Sequence, residues 1–190
     1  MFVKRLCDLV LVMLALPIFL PLMLACAVLI RLDSPGPILF WSTRVGRGRR
    51  EFSMPKFRSM REGTPVIDTE SMARLETADF VTPTGAWLRR YSLDELPQLW
   101  SVLKGDMSIV GYRPALPTQG YLNNRRDKLG VHAFRPGITG LAQVKGRDQL
   151  TDDQKADLDC EYVENWSLDL DLRILLVTVH HVVTSKGVSH

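Results

Sequence analysis

The sequence predicts an α+β chain, mostly helical, with a membrane-associated N-terminal helix. Three observations carry this. Residues 9–30 contain no charge, and 22 such residues are enough for a spanning helix. Apolar residues recur at helical spacing in Leu96, Leu99, Trp100 and Leu103, and again in Leu172, Leu175, Leu176, Val179 and Val183. Two short runs can form strands: residues 52–60, and residues 38–41, which read as a strand or an interfacial aromatic anchor.

Charge sharpens the first observation. Of the 24 Lys and Arg, ten lie in residues 1–61 against Asp8, Asp33 and Glu51, so that third carries +7 within a chain of net charge +3. The imbalance points it toward an anionic surface. Nucleic acid is one such surface, but the fused apolar stretch argues for membrane. Lys4 and Arg5 precede the stretch, while Arg31 and the basic cluster Arg44, Arg47, Arg49 and Arg50 follow it. The positive-inside rule wants both flanks cytoplasmic. Pro17 and Pro21 interrupt the helical bonding within it. Three readings therefore compete: a cleaved signal with a weak lipoprotein-like Met23-Leu24-Ala25-Cys26, a simple anchor, and a kinked helix that enters and leaves one leaflet.

Ser34-Pro35-Gly36-Pro37 ends any continuing helix. Ile38 to Trp41 is a strand or an interfacial aromatic anchor. The glycine-spaced arginines of residues 44–50 suit lipid headgroups. The next strand carries Lys56 and Arg58, candidates for contact with a phosphorylated substrate or with lipid. Residues 62–83 read as a connecting loop, and residues 84–91 as a short helix bringing Arg89 to the edge of a carboxylate pair.

That pair is Asp94 and Glu95, within Ser92-Leu93-Asp94-Glu95-Leu96-Pro97-Gln98-Leu99-Trp100. Ser92 with Glu95 fits a capping box, but a helix starting at Asp94 better keeps Pro97 in the first turn. Acids at a helix start ordinarily just favour the dipole. Their company suggests more: Arg89 and Arg90 before them, Arg113 in the Gly105–Pro114 run, and Arg135 in Arg135-Pro136-Gly137-Ile138-Thr139-Gly140. Arginines in Gly/Pro-rich turns make good clamps for phosphate oxygens.

The acidic stretch 148–164 reads as a helix with a solvated face, and residues 172–183 as an amphipathic helix ended by Gly187, facing core or membrane surface. Cys7, Cys26 and Cys160 have neither disulfide nor zinc spacing, which indicates a reducing compartment. His132, His180, His181 and His190 form no ligand set.

On these motifs, together with Arg31 to Pro37, Lys56-Phe57-Arg58-Ser59-Met60 and Glu164-Asn165-Trp166-Ser167-Leu168, the chain resembles the bacterial sugar transferases, the monotopic phosphoglycosyl transferases. The resemblance runs from Lys4 to about Thr178. It implies a kinked re-entrant membrane helix over residues 1–32, broken at Pro21, and a membrane-surface catalytic domain over 33–190 at the cytoplasmic face of the bacterial inner membrane. It implies transfer of a sugar-1-phosphate from a UDP-sugar to a polyprenol phosphate (undecaprenyl phosphate), releasing UMP through an aspartyl-phosphosugar on Asp94. Glu95 would hold a metal ion with Asp94 or position it; Mg²⁺ fits such a site, since it binds one or two carboxylates alongside substrate phosphate. Arg89, Arg113 and Arg135 would surround the phosphates, with Lys56 and Arg58 as further contacts. The chain departs from the family pattern at Leu20 (often Ser), Ser42-Thr43 (usually Gln-Glu) and Tyr112 (commonly Pro). The alternative is a non-catalytic membrane-binding scaffold of the same fold, which loss of either acid would favour; both are present. The donor sugar, the glycan pathway and the oligomeric state are not encoded legibly.

Overall fold

Both ends of one long apolar helix are stitched into the same small domain. The computed structural model describes residues 2–64, 80–146 and 149–184. Helix α1 (Phe2–Asp33) is helical through Pro17 and Pro21, although each proline deprives the carbonyl four residues earlier of its donor. Among the described residues it is the one helix long and apolar enough to cross a membrane. Its first turns are held by polar side chains. Lys4 pairs with buried Asp171 at 2.6 Å. Arg5 donates to the carbonyls of Val102 and Leu103, and Asp8 accepts from the Ser108 hydroxyl and the Ile109 amide. At the other end, Asp33 accepts from the Thr84 amide at 3.1 Å. Between them Met13, Leu14, Ile18, Leu20 and Leu24 are exposed.

Strands β1 (Leu39–Val45) and β2 (Glu51–Phe57) form an antiparallel hairpin in which Phe40 faces Lys56 and Arg44 faces Phe52. Two core clusters form where this hairpin meets α1. One joins Val12 to Met54, Val102 and Met107; the other joins Cys26 and Ile30 to Phe57 and Leu88. Leu88 comes from α2 (Pro83–Arg90), which starts cleanly because the Thr82 hydroxyl accepts from Gly85 N and Pro83 needs no amide partner there.

A 3₁₀ segment (Leu93–Gln98) then leads into α3 (Leu99–Lys104). Its start matches neither expected cap. Ser92 is left-handed (φ 54°) and makes no side-chain cap bond. The expected apolar face is kept only in part. Leu96, Leu99 and Leu103 pack inward, but Trp100 is exposed.

The remaining elements frame the two arginine motifs. Strand β3 (Ser108–Val110) runs parallel to β4 (Gly137–Thr139). A Cβ on Gly137 would collide with Gly111 backbone, so only glycine allows this approach. Around the pair lie α4 (Gly120–Lys128), α5 (Leu141–Lys145), α6 (Asp152–Glu164) and α7 (Leu168–Thr184). The acidic helix α6 is not wholly solvated: Asp159 is buried against Arg126 at 2.7 Å. Helix α7 buries Asp171 and Ile174, whereas Leu172, Leu176, Val179 and Val183 are 56, 63, 61 and 75% exposed. Most of its apolar stripe faces outward, while Leu175 packs against the core beside Ile174. Most of the expected loop at 62–83, and the Gly187 stop, fall outside the described residues.

Candidate active site

The 3₁₀ segment turns Asp94 and Glu95 back onto the hairpin, and both carboxylates are nearly sealed, at 9 and 8% exposure. Glu95 Oε1 accepts from Lys56 Nζ at 2.8 Å and from Arg113 Nη2 at 3.0 Å. Asp94 accepts no hydrogen bond from the described residues, yet it lies in the field of Lys56, Arg89 and Arg113. Burial pushes its carboxyl above the usual carboxylate range; those three cations pull the other way, and neighbouring Glu95 adds to the rise.

Four residues expected at the site thus converge around Asp94: Glu95, Lys56, Arg89 and Arg113. Two others point elsewhere. The Arg58 guanidinium clasps the turn after α1, donating to the Pro35 carbonyl and to the carbonyl and hydroxyl of Ser34. Arg135 donates through Nε to the Gly105 carbonyl at 2.8 Å and faces a cleft that shares no wall with the carboxylate pair.

The sequence reading passed over Arg44 as a site residue, placing it among headgroup contacts. Its guanidinium donates to the Ser42 hydroxyl at 3.0 Å and to the Pro114 carbonyl at 3.3 Å. Burial, then Arg113, lowers it to about 10, against the pull of Glu95. The signal was the strand period: Ser42 and Arg44 share a face of β1 with Phe40, whose cross-strand neighbour is Lys56. It becomes readable only once the hairpin register is fixed.

Tyr112, the departure next to Arg113, does not line the site. It is buried, with the Arg126 guanidinium 5.2 Å over its ring. Arg126 also donates to the Arg113 carbonyl at 2.9 Å. Tyr112 therefore acts on Arg113 through its backbone support.

Asp94 and Glu95 are the two carboxylates that could hold a divalent cation here. Mg²⁺ is an ion that takes few protein ligands and completes its shell from phosphate and water; of the two acids, Glu95 is bonded to Lys56 and Arg113, and Asp94 accepts no hydrogen bond from the described residues. No cluster of three or more His, Cys, Asp or Glu exists among the described residues.

A sealed carboxylate pair ringed by cations thus lies beside a helix long and apolar enough to cross a membrane. The chain belongs to the bacterial sugar transferase family, whose sequence profile matches residues 1–185. It is 41% identical to a UDP-N-acetylgalactosamine-undecaprenyl-phosphate N-acetylgalactosaminephosphotransferase of Aeromonas hydrophila, over 98% of this chain and 45% of that protein. It is 42% identical to a UDP-glucose:undecaprenyl-phosphate glucose-1-phosphate transferase of Xanthomonas campestris, over 96% and 39%. A protein of the same name from Caulobacter vibrioides is 42% identical, over 97% and 71%. The chain thus spans less than half the length of the first two.

Proposed function

We propose that this chain transfers a sugar-1-phosphate from a UDP-sugar to undecaprenyl phosphate, releasing UMP, as an early membrane step of surface polysaccharide synthesis. The observation that carries the reading is Asp94, a buried carboxyl with no hydrogen bond from the described residues, held among cations. Hydrogen bonds would stabilise its charge and blunt it as a nucleophile; among the described residues Asp94 has none.

In the first step an Asp94 oxygen attacks the β-phosphorus of the donor. The bond from that phosphorus to the UMP oxygen breaks, and an aspartyl-phosphosugar forms. In the second step a phosphate oxygen of the polyprenol phosphate attacks the same phosphorus and frees the Asp94 carboxylate. Both steps join anions. Arg113, Arg89 and Arg44 offset that repulsion, and Lys56 with Arg113 anchors Glu95 beside the nucleophile. When bound, Mg²⁺ held by Asp94 and Glu95 would supply further charge neutralisation at the phosphates.

A lipid acceptor requires the site at headgroup depth. Both ends of α1 dock on one domain, which supports an α1 that enters and leaves a single leaflet at the cytoplasmic face of the inner membrane. A helix standing across the bilayer would carry one end about 38 Å from the domain, at about 1.5 Å per residue between the docked residues Asp8 and Asp33.

The test uses membranes containing the full chain, a labelled UDP-sugar and undecaprenyl phosphate. UMP release is expected to fall at least 1,000-fold in Asp94→Asn. Peptide mapping of the quenched wild-type enzyme should place the phosphosugar on Asp94; a label on another residue would overturn the covalent route.

A further inference from the structure

We propose that the cleft between the β1–β2 turn and the Gly105–Asp106 corner binds a phosphate ester, specifically the headgroup phosphate of an anionic phospholipid. The cleft is open, about 520 Å³ in volume, and its walls include Arg47, Arg50 and Arg135. It lies at the opposite end of the hairpin from Lys56, roughly 17 Å along the strand at about 3.4 Å per residue. It is therefore a second anion site, separate from the carboxylate pair.

Its construction favours a ligand over idle surface charge. The turn is pinned from outside, where left-handed Arg49 (φ 60°) donates to Asn124 Oδ1 at 3.0 Å and lies 3.6 Å from Asp127. Arg47 and Arg50 make no side-chain hydrogen bond or ion pair with the described residues. Arg135 is fixed through Nε alone, and both its terminal nitrogens are without partners among the described residues. Burial and the nearby charges of Arg5 and Arg47 hold Arg135 below its ordinary value. Of the two acids on the walls, Asp106 is already taken by Lys104 at 3.0 Å. An anion would relieve that crowding and match guanidinium geometry.

The lipid source follows from position. Arg5, in the first turn of α1, bonds the carbonyls of Val102 and Leu103 just before Gly105, and Phe2, Val3 and Leu6 beside it are exposed. The cleft thus opens next to the apolar end of a membrane helix. This step rests on the placement of α1 proposed above and not on catalysis.

The experiment is native mass spectrometry of the full chain in detergent with equal amounts of phosphatidylglycerol and phosphatidylcholine. Wild type is expected to retain phosphatidylglycerol preferentially, and Arg47→Gln/Arg50→Gln to lose at least fivefold of that adduct. Arg125→Gln/Arg173→Gln, which removes the same charge elsewhere, should leave it unchanged. Equal retention of both lipids, or equal loss in both double variants, overturns the lipid assignment. A parallel melting series with inorganic phosphate separates the sources. Stabilisation of wild type but not of Arg47→Gln/Arg50→Gln, without a lipid preference, would move the site to a soluble phosphate; no effect in either assay removes it. UMP release in detergent should be unchanged in Arg47→Gln/Arg50→Gln, so failure here and failure of the transferase reading are told apart.

Discussion

Asp94 illustrates how a site residue trades stability for readiness. Its carboxyl is raised because folding buries it, with Glu95 adding to the rise. A group raised in the folded state opposes folding once pH climbs above its unfolded value near 3.8. Asp94→Asn should therefore melt at a higher temperature than wild type at pH 7, and the gain should shrink as pH falls toward the ordinary carboxylate range. Melting curves at pH 4.5 and 7.5 check the sign; a lower melting temperature at pH 7.5 would mean that the charged form is well solvated. Neighbouring Glu95 differs in kind, because its charge is fixed by Lys56 and Arg113. Two adjacent acids thus occupy different electrostatic settings.

At the scale of elements, the N-terminal turn of α1 is joined to the domain by charge as well as by apolar packing. Lys4 and Asp171 are 2.6 Å apart and nearly sealed, and Asp171 also accepts from the Tyr162 hydroxyl and the Trp166 indole. Removing one member of such a pair leaves an uncompensated buried charge. Lys4→Met is expected to cost about 3 kcal/mol, read by chemical unfolding in detergent. Asp8 ties the same helix to β3, whose continuation carries Arg113. The placement of α1 and the position of an active-site arginine are therefore mechanically linked. The apolar stripe of α7 shows an element whose period was plain and whose facing was not. Leucines and valines at 3.6-residue spacing define a face, but here Asp171 and Ile174 turn inward and the stripe turns out.

For the whole molecule, the question is which side of a bilayer each end of α1 occupies. Both ends contact one domain. With the native cysteines replaced by serine, Phe2→Cys and Ser34→Cys are each expected to react with an impermeant maleimide only in inside-out vesicles. Reaction of one of them in right-side-out vesicles would establish a spanning helix.

Sequence alone determined the long apolar segment, its basic flanks, the carboxylate pair and most helices and strands, because these depend on local composition and period. It also determined the family, through motifs in a fixed order. Tertiary structure alone decided which cations meet. Arg113 and Arg135 sit in look-alike turns whose backbones are neighbours through β3 and β4, yet one guanidinium reaches Glu95 and the other a separate cleft. Arg58, two residues from Lys56, closes the turn after α1, while Arg44 joins the site across the hairpin. The physical reason is that a long side chain's destination depends on which carbonyls and carboxylates the fold brings within its reach, and those partners lie 18 to 97 residues away in the chain.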